Sequence, residues 1–365
     1  MVENHNINFM HRIVFLLILF TISNAVLALN PESNWSFTLY DGTKISKSEF
    51  QSYLDRCENG DSDAMYVVGM YYHFRGYGEE FQKKSAYYLI KAAQAGNIGA
   101  AYQLGFNHTL TIEDRFFWLE MAADKGSYKA MSELEQLCNS VKKDSKSSFD
   151  WAQKAALASP RSWDKYILAM KYFNGSGCEK NYEQAYKYLQ KAMDSEDFND
   201  TSGLNVKPEV YAALGRLYFD GNYLRQDFDQ AFKLFSIAYE LKSYDNWNSY
   251  YLGLCYELGY GTMPDYEKAY EIYSKINYFE KSKVRQAIML YKGLGIKQDY
   301  NEAVKILTNL VENQWYIGEE GAQILSACYR FGRGVEQSDE QAEYWWNRTL
   351  ELKNKLHKLE QGYRQ

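Results

Sequence analysis

The 365-residue sequence predicts an all-α fold built from about eight stacked helix-turn-helix units. Three observations carry that prediction. Glycines two positions apart recur at Gly76/Gly78, Gly175/Gly177, Gly259/Gly261, Gly293/Gly295 and Gly332/Gly334, with Gly221/Tyr223 as a further copy. In every copy an alanine lies eight residues after the second position: Ala86, Ala185, Ala231, Ala269, Ala303 and Ala342. The composition has only 4 prolines but 34 tyrosines, which suits helices covered by neighbours while a polar edge stays near water.

The stretch Tyr250–Ile276 shows one unit in full. Gly253 and Tyr256 share a helix face, being three residues apart. Gly259-Tyr-Gly261 breaks that helix, because glycine reaches backbone angles other residues avoid. Pro264 and Asp265 suit the start of a second helix, where a carboxylate meets the positive end of the dipole. Ala269, Ile272, Tyr273 and Ile276 then follow at helical spacing and form one apolar stripe. Tyr182, Phe228, Tyr266 and Tyr300 put an aromatic residue three before the alanine in four copies. From Gly175 onward the first positions are 46, 38, 34 and 39 residues apart, a period in the range of solenoid repeats.

These residues resemble the Sel1-like repeat family, whose motif runs roughly A-x-x-x-L-G-x-x-Y-x-x-G-x-G-V, then D-x-x-x-A. Ala64 to Gly78 with Ala86 follows it with one extra residue, and Gly253–Ala269 and Gly332–Ala342 follow it too. Ser326 stands where the early glycine is expected. Two weaker copies, Ala100–Gly126 and Ala130–Ala156, lack the glycine turn. The resemblance implies a right-handed α/α superhelical solenoid of about eight repeats, tetratricopeptide-like in kind. Such scaffolds serve many different partners, so the fold alone does not name one.

In chain order, residues 1–28 read as a signal peptide: Arg12 precedes the apolar run Ile13–Ile22, and Val26-Leu-Ala28 offers a cleavage site. The run is short for a membrane span, so no membrane attachment is expected after cleavage. Residues 29–60 read as a loose leader followed by a capping helix over Ser48–Asn59. Residues 61–350 form the repeat array, with the weak repeats inside 98–160. Asn139–Ser148 and Ser195–Pro208 read as surface insertions. Residues 351–365 read as a polar helix that closes the stack.

The formal charge is −6, which argues against nucleic acid as a partner. The five cysteines, Cys57, Cys138, Cys178, Cys255 and Cys328, are odd in number and irregular in spacing, and buried thiols are expected. His73, His108 and His357 lack metal-ligand spacing, so no metal or cofactor is expected. Ser162-Trp-Asp-Lys165 and Ser140-Val-Lys-Lys143 match the S-x-x-K of penicillin-recognising enzymes, but the companion motifs S-D-N and K-T-G are missing from the sequence. An enzyme is therefore not expected. A hydrolase acting on β-lactams or peptidoglycan is the alternative.

The expected function is a secreted or periplasmic scaffold that holds a protein or peptide partner, or a cell-envelope component, in a concave groove. An adaptor in the lumen of the endoplasmic reticulum is the reading for a eukaryotic source. Positions three before and one after the motif glycine share a face. By resemblance to tetratricopeptide repeats that face looks into the groove. It carries Tyr66, Met70, Tyr102, Phe106, Tyr166, Met170, Arg216, Tyr250 and Leu254 as candidate binding residues. Tyrosine and methionine there would make an adaptable, adhesive surface.

Overall fold

Small residues set how closely the two helices of a pair approach. Gly69, Gly215 and Gly253 face Leu89, Phe235 and Tyr273 of the partner helix, and a Cβ at Gly215 would lie 2.6 Å from Phe235 Cε1. Ala169, Ala287 and Ser326 take the same place in other repeats and are buried as well. The computed structural model describes residues 36–39, 42–74, 78–107, 110–200, 206–241, 246–276, 279–312 and 317–362. The signal-like residues 1–28, Gly76, His108 and Gly203 lie outside them. The chain divides into two compact units, one ending at Lys180 and one starting at Asn181.

The first unit opens with a hairpin where a loose leader was expected. Strands β1 (Ser36–Thr38) and β2 (Lys44–Ser46) pair antiparallel, with Phe37 opposite Ile45. Apolar residues on one face explain the order: Leu39 and Ile45 are buried, and the Phe37 ring lies 5.3 Å from that of Tyr71. Helix α1 (Lys47–Glu58) starts at a capping box in which Ser46 and Glu49 satisfy each other's backbone N–H. Three helix pairs follow: α2 (Ser62–Phe74) with α3 (Glu79–Gln94), α4 (Ile98–Leu104) with α5 (Ile112–Asp124), and α6 (Tyr128–Leu137) with α7 (Ser145–Ala158). Helix α8 (Ser162–Asn174) ends the unit. Asp61, Asn97 and Ser127 cap the starts of α2, α4 and α6 through Ala64, Ala100 and Ala130 N–H.

Two local expectations change here. In the first repeat the extra turn residue shifts the register, so Ser85 fills the buried alanine position and Ala86 is only half-buried. The segment Asn139–Ser148 is not wholly a surface insertion. A π-helical turn at Cys138–Lys142 and left-handed Lys143 replace the glycine turn, α7 begins at Ser145, and Ser148 is fully buried.

The second unit contains α9 (Tyr182–Met193), α10 (Lys207–Asp220), α11 (Phe228–Leu241), α12 (Asn246–Leu258) and α13 (Tyr266–Lys275). It continues with α14 (Glu280–Lys292), α15 (Tyr300–Glu312), α16 (Gly318–Phe331) and α17 (Asp339–Gly362). The last is one 24-residue helix, so residues 351–362 extend the final repeat's second helix. After α9, Phe198 and Val206 are buried. Asp227, Asp265 and Asp299 each cap a second helix while their own N–H donates back to the first, as in Asp265 N–H to Tyr256 O at 2.8 Å. Ala185, Ala231, Ala269, Ala303 and Ala342 are all buried beneath these helices.

The second glycine of each turn does a further job. Gly261 sits at φ 69° against the first residues of α11, and an added Cβ would lie 2.6 Å from the Phe228 carbonyl carbon. Gly295 and Gly334 meet Tyr266 and Tyr300 in the same way. These three turns therefore seat on the start of the preceding repeat's second helix, and Tyr260 stacks flat on Phe228 at 4.2 Å. Tyr223 occupies the equivalent place at φ 69° with a ring that is 53% exposed. A non-glycine residue there costs about 1–2 kcal/mol. Tyr223→Gly is expected to stabilise the protein by about 0.5–1 kcal/mol, after allowing for glycine's greater freedom when unfolded. A urea melt with an unmoved or lower midpoint would show that the contact with Tyr186, 5.8 Å away, outweighs the strain.

Candidate functional site

Three of the residues singled out from the sequence meet in one place. Tyr66 on α2 and Tyr102 and Phe106 at the end of α4 line an open cleft of about 570 Å³ within the first unit. The absence of a side chain at Gly99 lets Tyr66 lie against the α4 backbone, where a Cβ would be 3.4 Å from Tyr66 Cζ. Tyr102 and Phe106 pack edge to face at 5.0 Å, a favoured aromatic geometry.

The opposite side is basic. Lys129 on α6 is exposed, and Arg161, just before α8, is held in place from behind. Its Nε and Nη2 donate to the two Asp164 oxygens at 2.9 and 3.0 Å, and Nη2 also reaches Ser132 Oγ at 2.9 Å. Asp164 is buried and takes further hydrogen bonds from Ser159 and Ser132. His73 completes the rim, and desolvation holds its imidazole below the ordinary histidine value, so it is neutral at pH 7. Among the described residues lining the cleft there is no carboxylate.

The remaining candidates fall elsewhere. Met70 is a correction: it is 0% exposed and belongs to the core, not to a groove. Helix α2 is covered on most sides, with Met65, Val67, Val68 and Tyr71 buried around it. Ala212 and Ile288, in the same repeat positions, are buried too. Tyr166 and Met170 on α8 are half-buried and do not line the cleft. In the second unit Arg216, Tyr250 and Leu254 are half-buried. The Arg216 guanidinium lies over Trp247 at 5.5 Å, and Lys281 lies 4.6 Å from the same ring. Tyr250 packs against Phe279 at 5.6 Å and Tyr273 at 6.1 Å. Sequence reasoning missed Trp247, although it stands three residues before Tyr250 on the same helix face.

The serine–lysine pairs have structural duties. Ser162 is buried, and Lys165 Nζ donates to the Ser159 and Arg161 carbonyls at 2.9 and 3.3 Å. Ser140 Oγ donates to Gln136 O. Ser148, Lys171 and Glu135 do form a close trio, with Lys171 Nζ 2.7 Å from Ser148 Oγ. Ser148 is wholly buried, however, so no substrate reaches that hydroxyl. Among the described residues no cluster of metal-binding side chains occurs, and no helix is long and apolar enough to cross a membrane. The five cysteines are unpaired, and burial pushes the Cys255 thiol up to about 12.

The Sel1 repeat family model matches eight stretches: residues 62–97, 116–127, 134–160, 165–197, 208–243, 249–276, 287–308 and 320–354, together more than half the chain. A protective antigen of uropathogenic Escherichia coli strains, displaying an SLR fold, superposes with a TM-score of 0.63 at 21% identity. That likeness covers 83% of this chain and 64% of the antigen. A Sel1 repeat protein from Oxalobacter formigenes superposes with a TM-score of 0.56 at 16% identity, over 86% of this chain and 91% of that one. The chitin synthase regulator SKT5 of Saccharomyces cerevisiae is 33% identical over 75 residues, which are 20% of this chain and 10% of that protein. The chain thus spans a small part of that relative and just under two thirds of the Escherichia coli antigen. The similarity to the solved structures concerns the fold.

Proposed function

The chain belongs to the Sel1 repeat family, a family of scaffolds for protein–protein contacts, and on that premise we propose that it is an exported scaffold holding a protein or peptide partner. The open aromatic cleft of the first unit carries this reading, because half-buried Tyr66, Tyr102 and Phe106, the first two packed against the core, still line the open cleft. Accessible aromatic clusters mark interaction sites. The signal-like start supports export to a secretory lumen, the periplasm or outside the cell. A cell-envelope component fits as the partner, a direction supported by the yeast relative, whose name makes it a chitin synthase regulator.

Affinity capture with the full chain as bait, beside a Tyr102→Ala bait, tests this. Tyr102→Ala is expected to weaken the captured complex by about 2 kcal/mol or more. Its loss of folding stability should be smaller than that of a buried aromatic such as Tyr273, which costs about 3–5 kcal/mol. Equal capture by both baits, or capture of no protein by either, overturns the reading. For location, N-terminal sequencing of exported material should begin at Leu29 or close to it, and a retained Met1 refutes cleavage.

A further inference from the structure

We propose that the cleft of the first unit takes an acidic peptide segment, one that seats an aromatic or large apolar side chain on Tyr66, Tyr102 and Phe106 and sets a carboxylate against Lys129 and Arg161. This deepens the scaffold reading and rests on it.

The charge pattern selects the occupant. The chain has 47 acidic and 41 basic residues, yet this cleft is lined by two permanent cations and, among the described residues, by no carboxylate. Lys129 is exposed and has no ion-pair partner among the described residues. Glu133 stands one turn further along α6. Glu133 is half-buried, outside the cleft lining, and its charge is felt by Arg115 and Arg161. Arg161 is anchored through Nε and Nη2 on buried Asp164, and its guanidinium also rests 5.1 Å from the Tyr128 ring. Asp164 and Ser132 occupy Nε and Nη2, so an arriving carboxylate meets Nη1 on a side chain already fixed in orientation, with less freedom to lose, and Lys129 supplies the charge that no Asp164 offsets.

The apolar side selects the second feature. The Tyr102–Phe106 pair presents a ring wall, and Tyr66, lying against the α4 backbone at Gly99, lines the same cleft. A cleft of about 570 Å³ holds two or three side chains, not a folded domain. A nucleic-acid strand carries a phosphate at every step and requires a line of cations. Two cations on a chain of net charge −6 do not supply one.

Fluorescence anisotropy on the full chain tests this with fluorescein-labelled decapeptides alternating Glu and Phe, Gln and Phe, or Lys and Phe, and with a labelled ten-base oligo-dT. The Glu–Phe peptide is expected to bind at least tenfold more tightly than the other three probes and to weaken as salt rises. Lys129→Glu, a change at an exposed position, should weaken it at least tenfold with the melting temperature held. Tyr102→Ala should weaken all three peptides alike. Equal binding of the Gln–Phe or Lys–Phe peptide, preference for the oligonucleotide, absence of peptide binding, or indifference to Lys129→Glu overturns the proposal. The scaffold reading is judged separately. A partner captured equally by wild-type and Lys129→Glu baits leaves a scaffold whose ligand is not acidic, whereas a bait that captures nothing removes the scaffold itself.

Discussion

Gly261→Ala is expected to destabilise the protein by about 3 kcal/mol or more. The left-handed backbone at φ 69° costs an alanine about 1–2 kcal/mol. The new methyl group would also lie 2.6 Å from the Phe228 carbonyl carbon and 2.9 Å from Asp229 Cα. Those atoms belong to the start of α11 and cannot swing aside as a side chain would. Overpacking of this kind costs about 1–3 kcal/mol on top of the backbone term. Gly60→Ala is the control, because Gly60 has φ 81° but nothing within 4 Å of an added Cβ. It should lose only the backbone share. Urea melts of the two variants check the difference, and equal losses would show that the seating of the turn on α11 contributes nothing.

Arg285→Ala should cost about as much, roughly 3–5 kcal/mol, by stranding a buried carboxylate. The Glu257 side chain is only 3% exposed. It accepts from Arg285 through both Nε and Nη2 and from Tyr273 OH at 3.0 Å. Arg285 also reaches Glu320 at 3.2 Å, which Lys292 holds at 2.7 Å. The chain of charges thus ties α12, α13, α14 and α16 together. Glu257→Ala should be milder, since the Arg285 side chain is 20% exposed and can turn to water. Replacing both residues with apolar ones of similar size should recover much of the loss. A double variant as unstable as Arg285→Ala alone would show that the charged pair itself supplies the stability. Thermal denaturation of the three variants reads this directly.

Much of the fold was legible because its rules are local and steric. The turn glycines, the alanine eight residues later and the small residue facing Leu89, Phe235 or Tyr273 answer to contacts a Cβ would violate, and such positions leave a mark in any sequence. The hairpin at Ser36–Ser46 left none, since three-residue strands are too short for an alternating pattern to show. The site was legible in part. Tyr66, Tyr102 and Phe106 shared a repeat face and do meet in the cleft. Met70 shared it too, but it is buried in α2, as Ile288 is in α14, and one helix's spacing cannot report its neighbours. Lys129 and Arg161 stand outside the repeat register, at or just before the starts of α6 and α8, so periodicity had no means of finding them.

The seating of each turn on an earlier helix gives the array a direction. Gly261 needs the start of α11, Gly295 that of α13 and Gly334 that of α15, and in every case the required surface lies nearer the N-terminus. A polypeptide ended after Ile276 keeps the seats of all its turns, while one begun at Asn246 leaves Gly261 facing water. Synthesis runs the same way: as each new pair of helices leaves the ribosome, the surface that completes its bend has already been made. Growth by addition at the later end, like courses laid on a wall, follows from a glycine too crowded to hold a methyl group.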